Sequence, residues 1–191
     1  MTGLVYVFTG EGKGKTSAAL GVTTRSLLLD KRVVWVAFYK QASWGLAEAK
    51  LTDKFSNLEM LLTGKGFRIT NPEKVVGRIK VASTGSAKVV DTASEEEHIM
   101  AAKLGLQLAA NSLQQKPFLL VMDEVLNAVS EGLLTEDDVL AVLKKRGETH
   151  VLLTGRGVTH KIVANADLVT ECTKIKHPYD SGKLAVQGLD F

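Results

Sequence analysis

Cysteine is almost absent: Cys172 is the only one in 191 residues. An internal disulfide is excluded, and a reducing compartment is the simplest setting. The four histidines are scattered, so no Cys/His cluster of zinc-binding spacing exists. Long hydrophobic runs are missing too. No stretch reaches the ~18 apolar residues of a membrane span. The apolar start gives way at Thr9 and has no basic region before it, unlike a signal peptide. A cytoplasmic protein with no membrane partner is expected. Charge of one sign is also lacking. Lys and Arg number 24 against 21 Asp and Glu, a formal net charge of +3 with no basic block. That pattern argues against a nucleic-acid partner and suits a small anionic ligand.

What is present is enough to fold. Hydrophobic residues make up 45% of the chain, which suits one α/β domain over residues 1–191. The stretch Leu4 to Ala19 organises it. An apolar run, Leu4 to Phe8, enters a glycine- and lysine-rich turn that leads into a helix beginning near Lys15. This order reads as strand, phosphate-binding loop, helix. Gly10, Gly12 and Gly14 let consecutive N–H groups converge on an oxyanion. The helix aims its unpaired N–H groups and positive dipole end at the same point. Lys15 reaches the outer phosphates, and the Thr16 hydroxyl suits magnesium. The usual first glycine is replaced by Thr9, with Gly10 one place later. The nucleotide-contact set is Thr9, Gly10, Glu11, Gly12, Lys13, Gly14, Lys15, Thr16 and Ser17.

A further buried strand is expected at Val33 to Phe38, and further strands at Leu58 to Leu62, Phe118 to Met122, His150 to Leu153 and Leu168 to Thr170. Helices are expected at 15–29, briefly at 46–55, at 73–82, at 95–114 and from Thr135 to about Arg146. Ser94 with Glu97, and Thr135 with Asp138, read as caps. In the long helix, Ile99, Met100, Leu104, Leu108 and Leu113 should cover one sheet face, with His98 on the outside. Residues 83–93 follow no period and are the expected mobile segment. The whole predicts a P-loop NTPase-like (RecA-like) α/β fold, mostly parallel, with helices on both faces.

Several strand ends carry site candidates. Asp123 and Glu124 close an apolar strand, the expected partner of a phosphate loop. Asp123 binds in the magnesium shell or holds Thr16; Glu124 ligates the metal or positions a water. Asn127 follows on the same side. Lys40, just past a strand end, is a ligand contact or a solvated loop lysine. Trp44 is a lid or a core anchor, and Phe67 packs on a planar ligand or in the core. Arg156, bracketed by two glycines, is an anion clamp or a plain turn residue. Lys15, Glu124 and Arg156 form the candidate catalytic set. Residues 172–191 are a polar tail expected to wrap the surface or cover the ligand.

These landmarks resemble the corrinoid adenosyltransferases of the P-loop type. The resemblance is carried by Phe8 to Thr16, Met122-Asp123-Glu124, Thr154-Gly155-Arg156-Gly157, Ala166-Asp167 and Ile175 to Gly182, and covers nearly the whole chain. It implies transfer of the 5′-deoxyadenosyl group of ATP to cobalt of a reduced corrinoid, with release of triphosphate. It further implies a magnesium requirement at Thr16 and Glu124, a homodimer, and an external reductase or flavin electron donor. The Phe67 position resembles an aromatic that packs against the corrin and displaces its lower axial ligand. Family members usually carry Phe-Thr-Trp where this sequence has Phe67-Arg68-Ile69, and an N-terminal extension that helps close the site. The residues alone equally suit an ATPase or kinase cleaving the γ-phosphate, or a nucleotide-binding regulator without turnover.

Overall fold

In the computed structural model, which describes residues 2–84 and 87–190, the apolar runs become strands. In chain order these are β1 Val5–Thr9, β2 Val33–Ala37, β3 Leu58–Leu62, β4 Lys74–Val76, β5 Ile79–Thr84, β6 Ala87–Asp91, β7 Leu119–Asp123, β8 His150–Thr154 and β9 Leu168–Glu171. The helices are α1 Lys15–Leu28, α2 Glu95–Ser112, α3 Val125–Ser130, α4 Glu136–Lys144 and α5 His160–Ala164. Six strands form one parallel sheet in the order β3-β2-β7-β8-β1-β9. The class is the expected P-loop NTPase-like α/β fold.

Alternation within each strand explains why both faces are covered. Val5, Val34, Val36, Leu120, Met122, Val151 and Leu153 pack with α2, α3, α4 and α5. Phe8, Val33, Trp35, Leu119, Val121 and Leu152 point the other way, onto Ala19 and Leu27 of α1. A fully buried side chain of this size contributes about 1.5–3 kcal/mol. Because every strand of this sheet runs the same way, the C-terminal ends of β1, β2, β3, β7 and β8 share one edge. Their loops meet there.

Four expectations change. Residues 73–82 form a hairpin, not a helix. Val76 faces Ile79 across a two-residue turn in which Gly77 has φ 59°, and β6 completes a three-stranded antiparallel sheet. The β-branched Val75, Val76, Ile79 and Val81 favour extended chain, and Gly77 supplies the turn. The irregular stretch 83–93 therefore holds the end of β5 and the whole of β6, with Gly85 and Ser86 outside the described residues. In α2 the covered face is built from small residues, Ala101, Ala102, Gly105 and Ala109, whereas Met100 and Leu104 are exposed. A Cβ on Gly105 would sit 2.7 Å from Thr63 Oγ1 and 3.0 Å from the Phe38 ring, so the helix lies too close for large side chains. His98 is buried, and its Nε2 meets Asp91 Oδ1 at 3.0 Å. Both expected capping boxes form.

Candidate active site

The phosphate loop is shaped by close packing as much as by dihedrals. Gly10 and Gly14 have φ of 102° and 118°. A Cβ on Gly10 would lie 2.6 Å from the Cys172 carbonyl oxygen, and one on Gly12 would lie 2.6 Å from the Thr173 carbonyl carbon. The segment after β9 thus underpins the loop. Gly12 N–H donates to Cys172 O at 2.6 Å, and Cys172 N–H donates to Thr9 O at 2.7 Å. Thr9 and Gly10 shape the loop from below and line neither cavity of the site, because strand β9 and Cys172 cover them. Lys15 Nζ donates to the carbonyls of Gly10 and Gly12, both at 2.7 Å. Burial, with the Arg156 charge second, lowers the Lys15 pKa. The first turn of α1 has no acidic residue and no side-chain cap, so its N–H groups face the loop unopposed.

Behind the loop, Asp123 is fully buried. Its Oδ1 accepts from Thr16 Oγ1 at 3.1 Å and from Thr154 Oγ1 at 2.7 Å. Its Oδ2 takes no well-directed hydrogen bond and faces the Lys40 ammonium at 3.0 Å. Lys40 also donates to Glu48 Oε1 at 2.6 Å. Burial opposes the charge on Lys40, but Asp123 and Glu48 outweigh it and raise its pKa. Lys40 is therefore a buried tie between two carboxylates as well as part of the cleft wall. Asp123 thus stands behind Thr16 and accepts its hydroxyl proton, the arrangement expected of a residue that holds Thr16.

Glu124 has φ 65°, a conformation that non-glycine residues rarely adopt. Its N–H donates to Thr154 Oγ1 at 2.8 Å. Burial, with the Asp123 carboxylate next, pushes its carboxyl up to about 7. A cation placed nearby would relieve that. Among the described residues no cluster of three His, Cys, Asp or Glu is arranged to cage a metal. Magnesium does not need one: it takes one or two carboxylates and completes its shell with phosphate oxygens and water. The Thr16 hydroxyl has its proton engaged by Asp123, which leaves its lone pairs outward. Thr16 and Glu124 therefore fit magnesium, with Asp123 behind them.

Two cavities meet here. One, of 540 Å³, is walled by Glu11 to Ser17, Glu124, Asn127 and Arg156 on one side and by Lys174, His177, Tyr179 and Asp180 of the tail on the other. The Arg156 N–H donates to Asn127 Oδ1 at 2.7 Å, and its guanidinium pairs with Glu11 at 2.6 Å. The second cavity, of 790 Å³, is more apolar, with Leu20, Trp44, Leu46, Leu51 and Phe67 in its wall. Thr16, Ser17, Glu124 and Asp190 line both. Asp190 also forms an ion pair with Lys13. The sequence-predicted residues from Glu11 to Ser17, with Lys40, Phe67, Glu124, Asn127 and Arg156, are thus brought together.

Sequence reasoning gave no individual role to Glu48 or Thr154, and placed His177, Tyr179 and Asp190 only within a tail expected to wrap the surface or cover the ligand. Thr154 was within reach: the register Met122 to Leu153 sets it beside Asp123. Glu48 sits on a 3-10 segment, Ala47–Asp53, whose pattern carries no sign of burial.

A family model described as ATP:corrinoid adenosyltransferase BtuR/CobO/CobP matches residues 1–191. The chain belongs to this family. It is 32% identical over 191 residues to a corrinoid adenosyltransferase of Escherichia coli K12, covering 99% of this chain and 86% of the relative. It is 31% identical, with the same coverage, to the corrinoid adenosyltransferase CobA of Salmonella typhimurium. In structure it is similar to the flagellar accessory protein FlaH from Methanocaldococcus jannaschii. That match has a TM-score of 0.53 at 10% identity, over 88% of this chain and 70% of the other, and concerns the fold alone. Within the family frame, Ile69 does not occupy the cleft. It is 7% exposed and its N–H donates to Asp91 Oδ2 at 3.0 Å.

Proposed function

We propose that this enzyme transfers the 5′-deoxyadenosyl group of ATP to the Co(I) centre of a reduced corrinoid and releases triphosphate. The observation that carries the reading is the junction of two unlike cavities at Thr16, Ser17 and Glu124. A phosphate cradle alone serves ATP hydrolysis. A larger apolar cleft opening on the same residues serves a second, flat and greasy substrate.

The cobalt lone pair forms the bond to ribose C5′, and the C5′–oxygen bond breaks with its electrons leaving on triphosphate. The chain supplies no covalent catalyst. Its residues orient ATP in line with the attacking atom and stabilise charge gathering on the leaving group. Loop N–H groups, Lys13, Lys15 and Arg156 do this, with Asn127 fixing the backbone of Arg156. Magnesium, held by Thr16 and Glu124, would neutralise part of the triphosphate charge. Glu11 and Asp190, now paired with Arg156 and Lys13, must yield those cations to phosphate. An external reductase or flavin supplies the electron that brings the corrinoid to Co(I). The protein acts as a cytoplasmic homodimer.

Incubation with ATP, magnesium and chemically reduced cobinamide or cobalamin tests this. A cobalt–carbon absorption spectrum is expected. ATP consumption with ADP and phosphate as products, and no such spectrum, would replace the reading with an ATPase.

A further inference from the structure

Two aromatic rings stand partly in water at the mouth of the larger cavity. Trp44 is 36% exposed and Phe67 51%. Their centroids are 5.0 Å apart, with ring planes inclined by 32°. The rings come from separate segments that are fastened together by their backbones. Gly64 N–H donates to Lys40 O at 3.2 Å, and Gly66 N–H donates to Tyr39 O at 3.1 Å. A Cβ on Gly64 would lie 2.0 Å from the Tyr39 carbonyl carbon, and one on Gly66 would lie 3.3 Å from Trp44 Cζ2. On the far side, the Lys40–Glu48 ion pair anchors the stretch that carries Trp44 to the Asp123 centre. Trp44 is therefore held in place by its neighbours' backbone and by its contact with Phe67, with 36% of its surface left open. An indole fixed in this way presents a broad apolar face at little entropic cost.

We propose that Trp44 is a substrate-contacting, specificity-determining residue: with Phe67 it forms the wall against which the flat corrin macrocycle lies. This rests on the adenosyl-transfer reading above. The adenine of ATP is the other flat group at hand. The size and apolar character of the 790 Å³ cavity favour the macrocycle, and the 540 Å³ cavity around the loop has polar walls suited to the nucleotide.

The test is steady-state kinetics and equilibrium binding of Trp44→Ala and Trp44→Phe, with cobinamide, cobalamin and ATP varied separately. Trp44→Ala is expected to weaken corrinoid binding and raise the corrinoid KM about tenfold, with the ATP KM within about twofold of wild type. Trp44→Phe should recover most of the loss. Trp44→Gln, polar and compatible with an exposed turn, carries the same expectation should the alanine variant fold poorly. Unchanged corrinoid affinity, or an equal loss of ATP affinity, overturns the assignment. If wild-type protein binds corrinoid and the variants bind it equally well, only the role of Trp44 falls. If wild-type protein binds no corrinoid, the adenosyl-transfer reading falls with it.

Discussion

Lys15 donates two 2.7 Å hydrogen bonds to carbonyls of its own loop, so its ammonium is fixed over the cradle before an anion arrives. Lys15→Ala should lower ATP affinity about 100-fold while the circular dichroism spectrum stays unchanged. Calorimetric titration checks this, and retained affinity would remove Lys15 from the cradle. Asp91 bears on stability. Its carboxylate accepts from the N–H groups of Ile69 and Ala93, meets His98 Nε2 at 3.0 Å and lies 3.3 Å from Lys80 Nζ. Burial opposes its charge, but the Ile69, His98 and Ala93 hydrogen bonds outweigh that and lower its pKa. The linked stability is thus fully present above the ordinary carboxyl value of ~3.9 and is lost as pH falls through the lower folded value. Asp91→Asn should cost about 2 kcal/mol at neutral pH, and the gap should close in acid. A gap that stays constant across urea melts from neutral to acidic pH would contradict it. The placement of Lys15, Thr16 and Glu124 along one sheet edge was legible in the sequence because each lies just past an apolar run that reads as a strand. His98 was not, because its partner Asp91 ends a strand with no readable period.

At the scale of elements, backbone hydrogen bonds tie 39–41 to 63–67 and bring Trp44 and Phe67 together. Gly64→Ala would press a methyl into the Tyr39 backbone, where nothing can rotate away. It should destabilise the protein by about 2–3 kcal/mol and loosen the aromatic wall. Thermal melts measure the first effect, and corrinoid KM the second. Wild-type values for both would show that the two loops separate freely. The central parallel strands were legible since they are apolar on both faces. The hairpin over 74–84 was hidden by the lysines and arginine between its valines. The packing face of α2 was hidden for a different reason: contact with Phe38 and Thr63 demands alanine and glycine, which leave a weak periodic signal.

Over the whole molecule, protection should follow burial. Strands β2 and β7 are enclosed throughout, whereas β4 has every residue exposed and the tail lies open. Hydrogen exchange should be slowest in β2 and β7 and at least about 100-fold faster in β4 and the tail. Uniform rates would mean that the hairpin and sheet open as one unit. The proposed transfer makes a stronger demand on the whole molecule, because it cuts ATP at C5′ while the phosphates stay joined. Phosphorus NMR of a reaction with reduced cobinamide tests this most directly. Triphosphate should accumulate in step with the cobalt–carbon product and vanish in Lys15→Ala. ADP with free phosphate, or triphosphate made undiminished by Lys15→Ala, would contradict the account.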